Sequence, residues 1–160
     1  VRYFSLSCKK YFMAVQFFKA DVSQRISKSN LLGKFISKRF QSTTKKSLFL
    51  SCVLCSDDYL LDINKKFLQH DFYTDIMTFP LEESSKKAIA EIYISVDRVA
   101  DNAQRNKTTY ENEFQRVLFH GVLHLCGYGD KTKQEKIKMT EMENLWLRSF
   151  EKFYKSNANS

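Results

Sequence analysis

Two of the three histidines in the chain, His120 and His124, stand four residues apart. At 3.6 residues per turn, both imidazoles leave the same face of a helix one turn apart, which is how a helix offers two ligands to one zinc ion. A helix alone cannot close such a site, so a third ligand must arrive from another direction. Gly127 and Gly129 suit the end of that helix, because glycine accepts the left-handed backbone that turns the chain back. Asp130 follows at once, six residues after His124, and brings a carboxylate. Three protein ligands leave the fourth position of a zinc ion to water, the arrangement of a catalytic site.

His-x-x-x-His-x-x-Gly-x-x-ligand is also the spacing of the metzincin motif. Metalloproteases place Glu directly after the first His as general base, and here that position is Gly121. The metal half of the motif is therefore present without its base. This argues against a peptidase, while a metal-bound hydroxide remains able to attack another electrophile. No catalytic group beyond a metal-bound water is assigned. The plainer alternative is a pair of satisfied core histidines. Against it, two of only three histidines sit with glycines and a carboxylate at ligand offsets.

The elements that must position these groups are legible in the pattern of apolar residues. With 160 residues, 43% hydrophobic, and Pro80 as the only proline, the chain suits one domain with one core and no linker. Residues 1–12 are basic, aromatic and free of acids, and read as an extension ahead of a domain over 13–154, with a polar tail at 155–160. A first strand is expected near 14–22 and an amphipathic helix near 30–41, with Leu31, Leu32, Phe35, Ile36 and Phe40 inward. A buried strand follows over 47–55. Ser56 then caps a helix whose inner stripe is Leu60, Leu61, Asn64, Phe67 and Leu68, with Asp57 and Asp58 in its first turn. After a polar loop, a strand over 75–80 stopped by Pro80 should pair as a hairpin with the alternating strand 88–95. A helix over 96–105 precedes the metal helix, which the capping box Thr108 to Glu111 starts. A second capping box, Thr132 to Glu135, opens a last helix with Met139, Met142, Trp146, Phe150 and Phe153 inward. The strand–helix–strand opening makes the first two strands parallel, so the fold class is α+β, a small mixed sheet packed with helices, with the site at the end of a buried helix.

The formal net charge of +8 points to a polyanionic partner, nucleic acid first and a membrane surface as the alternative. Seven bases between Val22 and Ser56 (Arg25, Lys28, Lys34, Lys38, Arg39, Lys45 and Lys46), with no acid among them, form either a phosphate-facing surface or an ordinary solvated face. No apolar run approaches the roughly 20 residues of a membrane helix. Cys52 and Cys55 have C-x-x-C spacing, but no second pair completes a Cys₄ site. An odd spacing on a strand sends them to opposite faces, as packing residues. Cys126 is aimed away from the metal. Reduced thiols fit a cytoplasmic protein.

The motif from His120 to Asp130 resembles that of the YbeY family of metal-dependent endoribonucleases, which reads His-Gly-x-Leu-His-Leu-x-Gly-Tyr-Asp-His. Two further stretches match in the same order: Asn64 through Asp71, Thr74, Asp75, Phe79 and Pro80, and the strand Ala90 to Ser95. The likeness runs from about Val15 to Phe153. It implies a zincin-like fold, with one divalent metal, expected to be zinc, held by His120, His124 and Asp130. It implies hydrolysis of phosphodiesters in single-stranded RNA, in ribosomal RNA maturation and ribosome quality control. The metal would generate hydroxide, polarise the phosphoryl oxygen, or both. Ribosomal subunits or proteins are the implied partners, and no membrane. The chain departs from the family pattern twice. Asp130 replaces the family's third His, with a harder and less zinc-selective donor, and Leu68 replaces an Arg. Lys65, Lys66 or His70 are candidates to replace that Arg at the substrate, and His70 is the reserve third ligand. A non-catalytic RNA-binding assembly factor with a structural metal is the competing reading.

Overall fold

The computed structural model describes residues 14–158. The extension at residues 1–12, and Cys8 with it, lies outside the described residues. Among the described residues, four strands and five helices follow in order: β1 (Val15–Lys19), α1 (Ser29–Thr44), β2 (Ser47–Cys55), α2 (Asp57–Leu68), β3 (Ile76–Glu83), β4 (Lys87–Ser95), α3 (Val96–Arg105), α4 (Tyr110–Leu125) and α5 (Lys133–Ala158). This is the α+β architecture expected, a mixed sheet packed with helices.

The strand order is β1-β2-β4-β3. β1 and β2 are parallel, as the intervening helix requires, and β2 also runs parallel to β4. β3 pairs antiparallel with β4 in the expected hairpin. Alternation divides the sheet into two faces. Leu48, Leu50, Cys52, Leu54, Ala90, Ile92 and Ile94 point to the main core, where Phe35 of α1, Phe119 of α4 and Trp146 and Phe150 of α5 meet. Cys55 and Met77 point to the other face, which, among the described residues, α2 covers through Leu60 and Ile63. Cys52 and Cys55 therefore lie on opposite faces and are free thiols.

Several boundaries differ from the sequence expectation, each for a physical reason. β3 does not stop at Pro80 but continues to Glu83, with a register shift between Pro80 and Glu82. β3 is an edge strand, where a missing N–H leaves no ladder bond unmade. The metal helix starts at Thr109 rather than through a Thr108–Glu111 box: the Thr109 hydroxyl accepts from the Asn112 N–H, and Glu111 pairs instead with Lys28 at 3.0 Å. The stripe on α2 stops short, since Phe67 and Leu68 are 54% and 50% exposed while Ile63 is buried. The polar stretch after Tyr154 does not leave the helix at once, as α5 runs on to Ala158.

The other caps form as read. Ser56 accepts from the Tyr59 N–H. Thr132 and Glu135 close a reciprocal box, with Glu135 N–H on the Thr132 hydroxyl and Thr132 N–H on the Glu135 carboxylate. The Lys131 N–H adds a second bond to that carboxylate, so the turn after α4 is tied to the start of α5.

Candidate metal centre

α4 is the central element, buried along Phe114, Val117, Leu118, Phe119, Val122 and Leu123. It crosses the sheet closely at Gly121. A Cβ there would come within 2.6 Å of Ile76 Cδ1 and 3.0 Å of Ile92 Cδ1. The position that carries a general base in metalloproteases is thus pressed against the sheet, and glycine is what lets the helix approach.

The chain turns out of α4 at Gly127, just past the Cys126 cap, with a φ of +94° that suits a residue without a side chain. Gly129 has no such backbone requirement; a side chain there would meet Glu135 Oε1 at 2.6 Å. The reversal brings Asp130 back over the histidines. His120 Nε2 and His124 Nε2 are 2.9 Å apart. Asp130 Oδ2 lies 3.6 Å from the first and 3.5 Å from the second. Among the described residues, these three form the one group able to hold a metal ion, and His70 is not part of it.

The outer nitrogens decide what the inner ones can do. His120 Nδ1 faces Glu143 Oε1 at 2.8 Å, and His124 Nδ1 faces the Tyr128 carbonyl at 2.9 Å. A carboxylate and a carbonyl accept only, so each Nδ1 carries the proton and donates. In the neutral rings both Nε2 lone pairs then point at each other and at a carboxylate oxygen. Three converging lone pairs repel unless a cation lies among them. Ligands on one tetrahedral ion at about 2.0–2.2 Å stand roughly 3.4 Å apart; the two His–Asp separations match this and the His–His pair is tighter. The donor set therefore fits a divalent ion, with outer partners of the kind that orient metal-bound histidines. Burial pulls the His120 pKa down, but Glu143, by hydrogen bond and charge, with Asp130 and Asp75 behind it, outweighs burial and holds it above the ordinary histidine value.

Sequence reasoning missed Glu143, which is buried on α5, with Arg116 Nη1 on its second oxygen at 3.3 Å. The available signal was an acid on the Met139–Trp146 stripe. It also missed Asp75. Burial raises the Asp75 pKa, partly offset by its own and the Ile76 backbone N–H, by His120 and by Asn102, whose Nδ2 donates to Oδ2 at 3.1 Å.

The centre opens into a cleft of about 710 Å³ between α4, the α2–β3 loop and β3. Asp75, Thr78, Phe79, His70, Phe72 and Leu68 line it. Of the three residues expected at the substrate, only His70 lies on its wall, stacked on Phe72. Lys65 is turned to Asp71 at 2.9 Å, and Lys66 is on the exposed side of α2. Among the described residues lining the cleft there is no lysine or arginine, and the position of the family's Arg is the apolar rim residue Leu68. Of the seven bases, Lys28 and Lys46 are engaged by Glu111 and Glu83. Lys46 borders a second hollow that meets the cleft at Pro80 and His124. No helix among the described residues is long and apolar enough to cross a membrane.

A family model described as Endoribonuclease YbeY matches residues 17–151. The chain is 43% identical over 136 residues to the Endoribonuclease YbeY of Cytophaga hutchinsonii, covering 84% of this chain and 95% of that one. It is 37% identical over 132 residues to the Endoribonuclease YbeY of Parabacteroides distasonis, covering 82% and 92%. The solution structure of TM1509 from Thermotoga maritima matches with a TM-score of 0.55 at 26% identity, over 89% of this chain and 93% of that one.

Proposed function

The chain belongs to the Endoribonuclease YbeY family, and on that premise we propose that it is a metal-dependent endoribonuclease acting on single-stranded RNA in ribosomal RNA maturation. The observation that carries the metal dependence is the convergence of two histidine lone pairs and the Asp130 carboxylate on one point of an open cleft. Zinc is the ion we assign, and when bound it supplies Lewis acidity and a nucleophile at neutral pH.

The side chains do the rest. His120 Nε2, His124 Nε2 and Asp130 Oδ2 hold the ion. Glu143 and the Tyr128 carbonyl keep both rings in the tautomer that presents Nε2. Asp75, half-buried and held by Asn102 on the cleft wall, is the carboxylate we assign to accept the proton of the attacking water. His70, on the same wall, is the side chain we assign to donate an N–H to a phosphate oxygen. A cleft bordered by Phe72 and Phe79 admits unstacked nucleotides more readily than duplex. The net charge of +8 favours the polyanion. Free thiols at Cys52, Cys55 and Cys126 suit the reducing cytoplasm.

The deciding measurement is metal content per chain of the parent beside Asp130→Ala and His70→Ala. Close to one zinc in the parent and in His70→Ala, with loss in Asp130→Ala, is the expected result. Metal retained by Asp130→Ala but lost by His70→Ala would overturn the ligand set. A parent that takes up no metal even when zinc is supplied would overturn the hydrolase mechanism.

A further inference from the structure

The outer face of the sheet is left partly bare among the described residues. Among the described residues, seven large hydrophobic side chains are exposed, and five of them (Phe67, Leu68, Phe72, Tyr73 and Leu81) fall on the end of α2, the loop after it and β3. Such clustering marks a binding surface rather than ordinary scatter. Beneath Phe67 and Leu81 is a hollow of about 140 Å³, bounded also by Tyr59, Phe79, Glu91 and Tyr93. Its aromatic rings stand edge to face, Phe67 to Phe79 at 5.9 Å and Phe79 to Tyr93 at 5.9 Å. Phe79 lines both this hollow and the metal cleft, so the two adjoin at that residue.

One charged group interrupts the largely apolar wall. Glu91 faces Phe79 across the β3–β4 ladder, and its Oε2 accepts the Tyr93 hydroxyl at 3.0 Å. Among the described residues, no other donor meets the Glu91 carboxylate. A flat aromatic ligand that fills the hollow must therefore bring N–H groups to a carboxylate. Guanine alone among the RNA bases offers two adjacent donors, N1–H and the N2 amino group, along one edge. Adenine and cytosine place an acceptor nitrogen beside their single amino group, and uracil flanks its N–H with two carbonyls, so each would set a lone pair against the carboxylate.

We propose that the hollow between α2 and the outer face of β3 and β4 is a guanine subsite, which holds one nucleotide of the RNA at a fixed offset from the cleaved bond through stacking on Phe67, an edge contact with Phe79 and hydrogen bonds to Glu91. This rests on the RNA-cleaving reading of the adjoining cleft and adds a sequence preference to it. Stacking accepts any base; the carboxylate is what selects.

The test uses the metal-loaded full chain and two fluorescein-labelled RNA nonamers, one all adenosine and one with a central guanosine. Anisotropy reports affinity, and a denaturing gel of the same samples reports cleavage. The parent is expected to bind the guanosine nonamer about tenfold more tightly or better. Glu91→Gln removes that difference. Phe67→Ala, a truncation at an exposed position that leaves the fold intact, weakens binding of both. Equal affinity of the parent for the two nonamers overturns the proposal. So does a Phe67→Ala variant that binds as the parent does, which would leave the apolar surface to a protein partner. Cleavage without guanine preference overturns the subsite alone, whereas guanine-dependent binding with RNA left intact overturns the nuclease reading alone.

Discussion

Glu143 Oε1 lies 2.8 Å from His120 Nδ1, and this one contact reaches from α5 to the metal helix. It sets which nitrogen of His120 is free, and Arg116 holds the other carboxylate oxygen at 3.3 Å. Glu143→Ala should lower metal affinity about 10–100-fold, the usual cost of losing such an outer partner. Competition against a zinc chelator measures it. Glu143→Gln, which still accepts at Oε1, should lose less. Equal affinity in all three proteins would mean that the contact is incidental.

Asp75 should be separable from the metal ligands. Asp75→Asn keeps the shape and the ability to accept from Asn102 but cannot take a proton. The expected result is a fall in kcat of about 10²–10⁴ with KM and zinc content unchanged. A fall in zinc content in parallel with kcat would reassign Asp75 to the metal.

Gly121 should tolerate almost nothing. Alanine there drives a methyl into Ile76, Ile92 and Thr78, an overpacking that costs about 1–3 kcal/mol. Thermal or urea denaturation reads it directly. Gly121→Glu, which restores the protease sequence, should give a poorly folded protein rather than a peptidase. A stable Gly121→Glu variant would show that α4 can move off the sheet.

Cys55 gives a pH prediction on a buried group outside the metal centre. Burial, with Asp21, Asp57 and Asp97 adding to it, pushes its pKa from 9.0 up to about 12. A pKa raised on folding means stability that is complete below pH 9 and is lost as pH climbs towards 12. The thiol should resist iodoacetamide at pH 8 in the folded protein and react once denaturant is added. The urea midpoint should fall less between pH 9 and 11 in Cys55→Ala than in the parent. Rapid labelling of native Cys55 at pH 8 would contradict the burial.

Much of the fold was already legible, because the signals are local. Period-two alternation over 88–95 and the Ser56 and Thr132 caps depend on neighbours a few residues away, and each is found in the structure. Thr108 and Glu111 misled because two threonines compete for one cap, and the Lys28 ion pair that draws Glu111 off comes from another part of the chain. Pro80 misled because only the strand order makes β3 an edge. Phe67 and Leu68 follow the helical stripe, yet the element that would cover them is not supplied by the described residues.

Two histidines on one helical face, the turn at Gly127 and the return of a carboxylate at Asp130 follow from the sequence alone, since an eleven-residue span constrains its own geometry. Tertiary structure decided everything that crosses between elements. It brought Glu143 to His120, set Asp75 on the cleft wall, turned Lys65 to Asp71 and made the cleft adjoin the hollow at Phe79. Spacing along a chain fixes direction only within one helix or strand; which faces meet depends on how α4, α5 and the sheet pack, and no local pattern carries that.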